Sequence, residues 1–138
     1  MIRLAHWDDL SAIQIILKNT DWTSAAVLDC FNENYFIWIV EDIDIKGLMV
    51  VRNAIKIWEI MQIAVDAKYQ RCGCAKKLLT HLIVQAKIKQ VEAIQLEVRL
   101  SNIAAMGLYQ QFQFHTIGLR KKYYKNGEDA VLMTKLFR

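Results

Sequence analysis

Apolar positions along this chain switch repeatedly between a helical period of three or four residues and the two-residue period of a strand. Leu10, Ile13, Ile16 and Leu17 follow Asp8 and Asp9, whose negative charge suits a helix N-terminus, so a helix is predicted there. Thr23 stands as the cap of a second helix that buries Ala26, Val27 and Phe31. Three extended runs follow, Tyr35–Val40, Leu48–Arg52 and Ile55–Val65, with Asp42, Asp44 and Gly47 as turn residues between the first two. In the last run, Ile55, Ile57, Glu59, Met61 and Ile63 share one face and Lys56, Trp58, Ile60 and Gln62 the other. Lys76–Lys89 is the clearest helix, with Leu78, Leu79, Leu82, Ile83 and Ala86 on its apolar side. Ile94–Val98 reads as a buried strand, and Ser101 or Asn102 caps a further helix through Phe112. Closing strands are predicted at Thr116–Tyr124 and Ala130–Leu136, and a short opening one at Met1–Ala5. The predicted fold class is therefore mixed α/β, a single domain over residues 1–138 with about seven strands and about four flanking helices.

Composition narrows the function classes. The chain is 54% apolar and 23% charged, without proline, as expected for a globular domain rather than a disordered or hinged one. No apolar stretch approaches the roughly 20 residues that span a bilayer, and Asp8 and Asp9 interrupt the N-terminus where a leader would be apolar, so no membrane partner is expected. A net charge of +4 suits an anionic ligand. The odd set Cys30, Cys72 and Cys74 is no disulfide framework and points to a reducing cytoplasm; Cys72-x-Cys74 supplies only two ligands, so no metal is expected.

Candidate chemistry concentrates where the Ile55–Val65 run passes through a short loop into the Lys76–Lys89 helix. The first turn of a helix leaves about four N–H groups unpaired and carries roughly half a positive charge, so such a junction can hold a diphosphate. Close approach of the ligand asks for Gly73 and the small Ala75, while Arg71 and Lys76 add positive charge. A plain helix start with a glycine turn fits the same residues.

Gln70-Arg71-Cys72-Gly73-Cys74-Ala75 matches a Gln/Arg-x-x-Gly-x-Gly/Ala motif, and through it the chain resembles the GNAT N-acetyltransferases. Leu96-Glu97-Val98-Arg99, Ser101-Asn102, Leu108-Tyr109, Phe114, Arg120, Tyr123-Tyr124 and Glu128-Asp129-Ala130 extend the resemblance, and within that family they resemble the bacterial ribosomal-protein-alanine N-acetyltransferases. The resemblance implies a mostly antiparallel sheet with a splayed central strand pair. It further implies acetyl-CoA as co-substrate, held by the main chain of Ile63, Ala64 and Val65, by the loop residues Arg71, Cys72, Gly73, Cys74, Ala75 and Lys76, and by Asn102. Glu97 is implied as general base and Tyr109 as general acid, with direct transfer to the N-terminal α-amine of a protein, a small-subunit ribosomal protein. A lysine or small-molecule amine, or a non-catalytic CoA-binding module, are the alternatives.

Residue chemistry keeps plainer readings open beside these. Glu97 can serve as the ion-pair partner of Arg99 or a lysine, and Tyr109 as a core tyrosine bonded to backbone. The run Arg120-Lys121-Lys122-Tyr123-Tyr124-Lys125 has the composition of an RNA-binding strand or of a solvated one, the latter being preferred. Gln113 stands where the family has glycine, which would end the helix in a left-handed turn at no steric cost; a glutamine in that conformation costs roughly 1 kcal/mol, so the helix end stays open.

Overall fold

The computed structural model of the chain describes residues 1–137 and arranges them as one seven-stranded sheet with helices on both faces. The elements are β1 (Ile2–Leu4), α1 (Leu10–Leu17), α2 (Ser24–Leu28), β2 (Tyr35–Glu41), β3 (Ile45–Ala54), β4 (Ile57–Val65), α3 (Cys74–Ile88), β5 (Ala93–Arg99), α4 (Ile103–Gln111), β6 (His115–Arg120) and β7 (Ala130–Leu136). Strand order is β1-β2-β3-β4-β5-β7-β6. Every neighbouring pair is antiparallel except β4 and β5, which are parallel and joined through α3, the crossover such a pair requires. No helix among the described residues is long and apolar enough to cross a membrane.

Alternation along the central strands divides the core in two. Ile39, Leu48 and Val50 face α1 and α2, where they meet Ile13, Leu17 and Val27. Met49, Val51 and Trp58 face α3, against Leu78, Leu79 and Leu82.

Three expectations change at β3 and β4. Ile55 belongs to the turn between them, in a left-handed conformation at φ 62°. Gly47 lies inside β3, where the position requires glycine because a Cβ there would meet the main-chain oxygen of Ala64 at 2.9 Å. Gly47→Ala is accordingly expected to cost about 1–3 kcal/mol, measurable by urea unfolding. Finally, the two faces predicted for β4 exchange partway along it. Val51 pairs with Ile60 and Val50 with Gln62, so Met61 is an extra residue, a β-bulge. Trp58 and Ile60 before it, and Ile63 and Val65 after it, all pack on the α3 side, while Met61 and Ala64 pack on the α1 side.

The closing segment also departs from expectation: β6 ends at Arg120, and Lys121–Lys125 form a loop rather than more strand. At the end of α4, Gln113 does adopt φ 62°. Phe114 N–H donates to Tyr109 O and Gln113 N–H to Gln110 O, each at 3.0 Å, which is a Schellman turn. The Tyr109 and Phe114 rings meet edge to face across it at 5.7 Å. Gln113→Gly is expected to raise stability by up to about 1 kcal/mol by removing the steric cost of that conformation, seen as a Tm gain of roughly 2–4 °C.

Candidate active site

β4 and β5 pair over only four residues each, Ile57–Ile60 with Ala93–Leu96. Beyond them β4 runs on beside β3 to Val65 and β5 beside β7 to Arg99, so the two strands part. The bulge at Met61 sits where the parting starts, and added twist is what a bulge contributes. Past the bulge, Ile63 N–H donates to Oε1 of the neighbouring Gln62 side chain at 3.0 Å rather than to β3. Asp66 N–H donates to Lys46 O at 2.8 Å. Strand alternation therefore turns the amides of Ile63 and Val65 into the gap and those of Ala64 toward β3. By the same alternation the main chain of Ala64 faces β3.

The gap widens into a cavity of about 1150 Å³ lined by Ile63, Glu97, Asn102 and Tyr109 among others. Four residues expected at the site thus meet in one place. Glu97, on β5, places Oε1 3.6 Å from Arg120 Nη1, while Oε2 is buried and has no hydrogen-bond partner among the described residues. Its partner is thus Arg120 rather than Arg99. The Glu97 charge is the main cause that holds the Tyr123 hydroxyl above the usual tyrosine range. Tyr109 lies two turns beyond Asn102 on α4, is 5% exposed, and makes no hydrogen bond from its hydroxyl among the described residues. Burial drives its pKa far above that of a free tyrosine, so the hydroxyl keeps its proton. Asn102 caps α4, its Oδ1 accepting from Ala105 N–H at 3.2 Å.

The loop residues do not line this cavity; they lie beyond the far end of β4. Gly73 caps α3 at φ 79° with no side-chain cap, so the amides of Cys74, Ala75 and Lys76 find no acceptor among the described residues. A Cβ on Gly73 would meet nothing within 4 Å, so the approach is open. Arg71, Cys72 and Lys76 are exposed, whereas the Cys74 side chain is buried in the core and offers only its main chain.

Some pairings at the site have no local signal in the sequence. Asp21 from the α1–α2 connection and Glu128 from the β6–β7 loop both pair with Arg99, which also lies 4.0 Å from the Tyr124 ring. Asp21 and Arg99 are 78 residues apart, so only the fold brings them together. This cluster and Tyr123 line the same cavity, and Glu128 Oε2 also accepts from Ser101 N–H at 2.7 Å, next to Asn102. No group of three or more His, Cys, Asp or Glu side chains suited to a metal ion occurs among the described residues.

Residues 4–114 match the model of the acetyltransferase (GNAT) family, and the chain belongs to that family. Within it, the chain is 42% identical over 77 residues to the ribosomal protein bS18-alanine N-acetyltransferase of Escherichia coli, a match covering 54% of this chain and 52% of that one. The chain thus spans about half the length of that relative. The protein of the same name from Haemophilus influenzae is 33% identical over 117 residues, 81% of this chain and 80% of its own. Among solved structures, the E. coli ribosomal-protein-S18-alanine N-acetyltransferase superposes with a TM-score of 0.90 at 29% identity, over 97% of this chain and 91% of that one.

Proposed function

We propose that this chain transfers an acetyl group from acetyl-CoA to the N-terminal α-amine of a protein, and that the protein is a small-subunit ribosomal one, as the names of its relatives say of them. The observation that carries the reading is one cavity holding a carboxylate oxygen without a partner, Glu97 Oε2, and a hydroxyl that burial keeps protonated, Tyr109, beside an open strand edge. When bound, acetyl-CoA supplies the acetyl group as an activated thioester. The residues fit it at three points. Ile63 and Val65 offer main-chain donors and acceptors to a pantetheine arm laid along the gap. The free amides of Cys74, Ala75 and Lys76, with Arg71 and Lys76 side chains, suit a diphosphate. Asn102 has its amide nitrogen free beside the cavity, its oxygen being taken by the helix cap.

Glu97 accepts a proton from the acceptor ammonium, directly or through one water. An α-amine of pKa about 7.7–8.0 is within its reach near neutral pH, whereas a lysine near 10.4 holds its proton far more firmly. Tyr109 holds the proton that the departing sulfur needs. Neither Cys72 nor Cys74 lines the cavity, which favours direct transfer over an acetyl-cysteine route. Arg120 and Arg99 are engaged with Glu97, Asp21 and Glu128 and stack on Tyr123 and Tyr124, which favours a peptide-binding wall over an RNA-binding strand. The three free cysteines suit the cytoplasm.

The test is CoA-thiol release with acetyl-CoA and two peptides, one with the free N-terminus of a small-subunit ribosomal protein, the other N-blocked with an internal lysine. Acetylation of the first alone, located by mass spectrometry, is expected; acetylation of the lysine peptide would move the acceptor class.

A further inference from the structure

Ile63 is the residue at which β4 has left β5 and turned its amide into the gap, and that amide is already occupied. It donates to Oε1 of Gln62, one residue away, at 3.0 Å in a half-buried setting. A half-buried amide facing the cavity takes an acceptor from water or from a nearby side chain until a ligand arrives. Gln62 directly follows the bulge at Met61, and it lines the same cavity as Glu97 and Tyr109.

We propose that Gln62 is a built-in stand-in for the donor: its side-chain oxygen occupies the Ile63 amide in the free protein and must rotate away when acetyl-CoA lies along the gap. The inference rests on the placement of acetyl-CoA given above. It makes Gln62 a gating residue, one that sets affinity for the donor without touching the proton transfers. Two forms of the free protein follow, a closed one with the Gln62 bond made and an open one that binds. The apparent Kd is raised by the inverse of the open fraction. A hydrogen bond of ordinary net strength holds the closed form in about three- to tenfold excess.

Gln62→Met keeps the length of the side chain and removes the strong acceptor. By titration calorimetry of the full chain with acetyl-CoA, its Kd is expected to be about three- to tenfold lower than that of the wild type. Gln62→Ser, too short to reach the neighbouring amide, should tighten binding equally, and answers if the methionine disturbs packing. Hydrogen exchange at the Ile63 amide supplies a readout independent of turnover. In the free protein it should speed up in both variants, and with acetyl-CoA bound it should be equal in all three proteins. A merely structural Gln62 would instead lower Tm and weaken binding. Unchanged or weaker affinity in both variants, or an Ile63 amide that exchanges equally fast in the free wild type and variants, would overturn the stand-in and leave the donor placement intact. No measurable binding of acetyl-CoA to the wild type would overturn both.

Discussion

Glu97→Gln should lower kcat by about 10²–10³-fold, within the range general base catalysis supplies, while the Kd for acetyl-CoA stays within about twofold. Glutamine has the size of glutamate, and its carbonyl oxygen can keep the place of Glu97 Oε1, which stands 3.6 Å from the Arg120 guanidinium. What it lacks is the capacity to take a proton from an ammonium at Oε2, the atom that has no other partner. The substitution also carries an internal check. Because the Glu97 charge is what chiefly lifts the Tyr123 hydroxyl above its usual range, ultraviolet titration should show that tyrosine moving down when the charge is removed. A variant with the tyrosine shifted and kcat unchanged would remove Glu97 from the role of base.

Tyr109→Phe is expected to lower kcat by about 10²-fold with KM for acetyl-CoA little changed. Its ring is packed edge to face on Phe114 and stays so without the oxygen, and no hydrogen bond among the described residues is lost. The stability effect has a definite sign. A phenol whose folded-state pKa is raised contributes stability that is whole below about pH 10, the value for an unfolded tyrosine, and is lost as pH rises toward the folded value. Removing the hydroxyl should therefore leave stability at neutral pH nearly unchanged and flatten its decline in alkali, as followed by denaturant midpoints from pH 8 upward. A loss of stability at pH 7 as large as the loss of rate would reassign Tyr109 to the core.

Much of this site was readable along the chain because its parts are local. The loop Gln70–Lys76 announces itself by a glycine that needs a left-handed φ directly before a helix, and Asn102 and Tyr109 share a helix face by spacing alone. The strand Ala130–Leu136 was legible to the residue. What stayed hidden is non-local. Arg99 looked like the neighbour of Glu97 because they are two apart on one strand, yet the fold delivers Asp21 and Glu128 to the one and Arg120 to the other. The alternation of β4 fails past Met61 for a related reason: it has no place for an unpaired residue, and nothing in Met61 itself marks it as one. Gly47 read as a turn residue because glycine most often is, whereas its reason for being here is an oxygen on the next strand.

Met61 is a spacer, and its presence counts for more than its chemistry. Were it deleted, Gln62 would follow Ile60 directly, and the partners Val51–Ile60, Val50–Gln62 and Met49–Ile63 would form an unbroken ladder with every inward-facing side chain still inward. The shorter chain would give up the packing of the Met61 side chain on the α1 side and keep the rest of the interior. What it would lose is the flare that keeps β5 from zipping onto the second half of β4, and with it the edge that a ligand can occupy. The unpaired residue is thus a point at which the parting of two strands can be varied by changing the length of the chain rather than its composition.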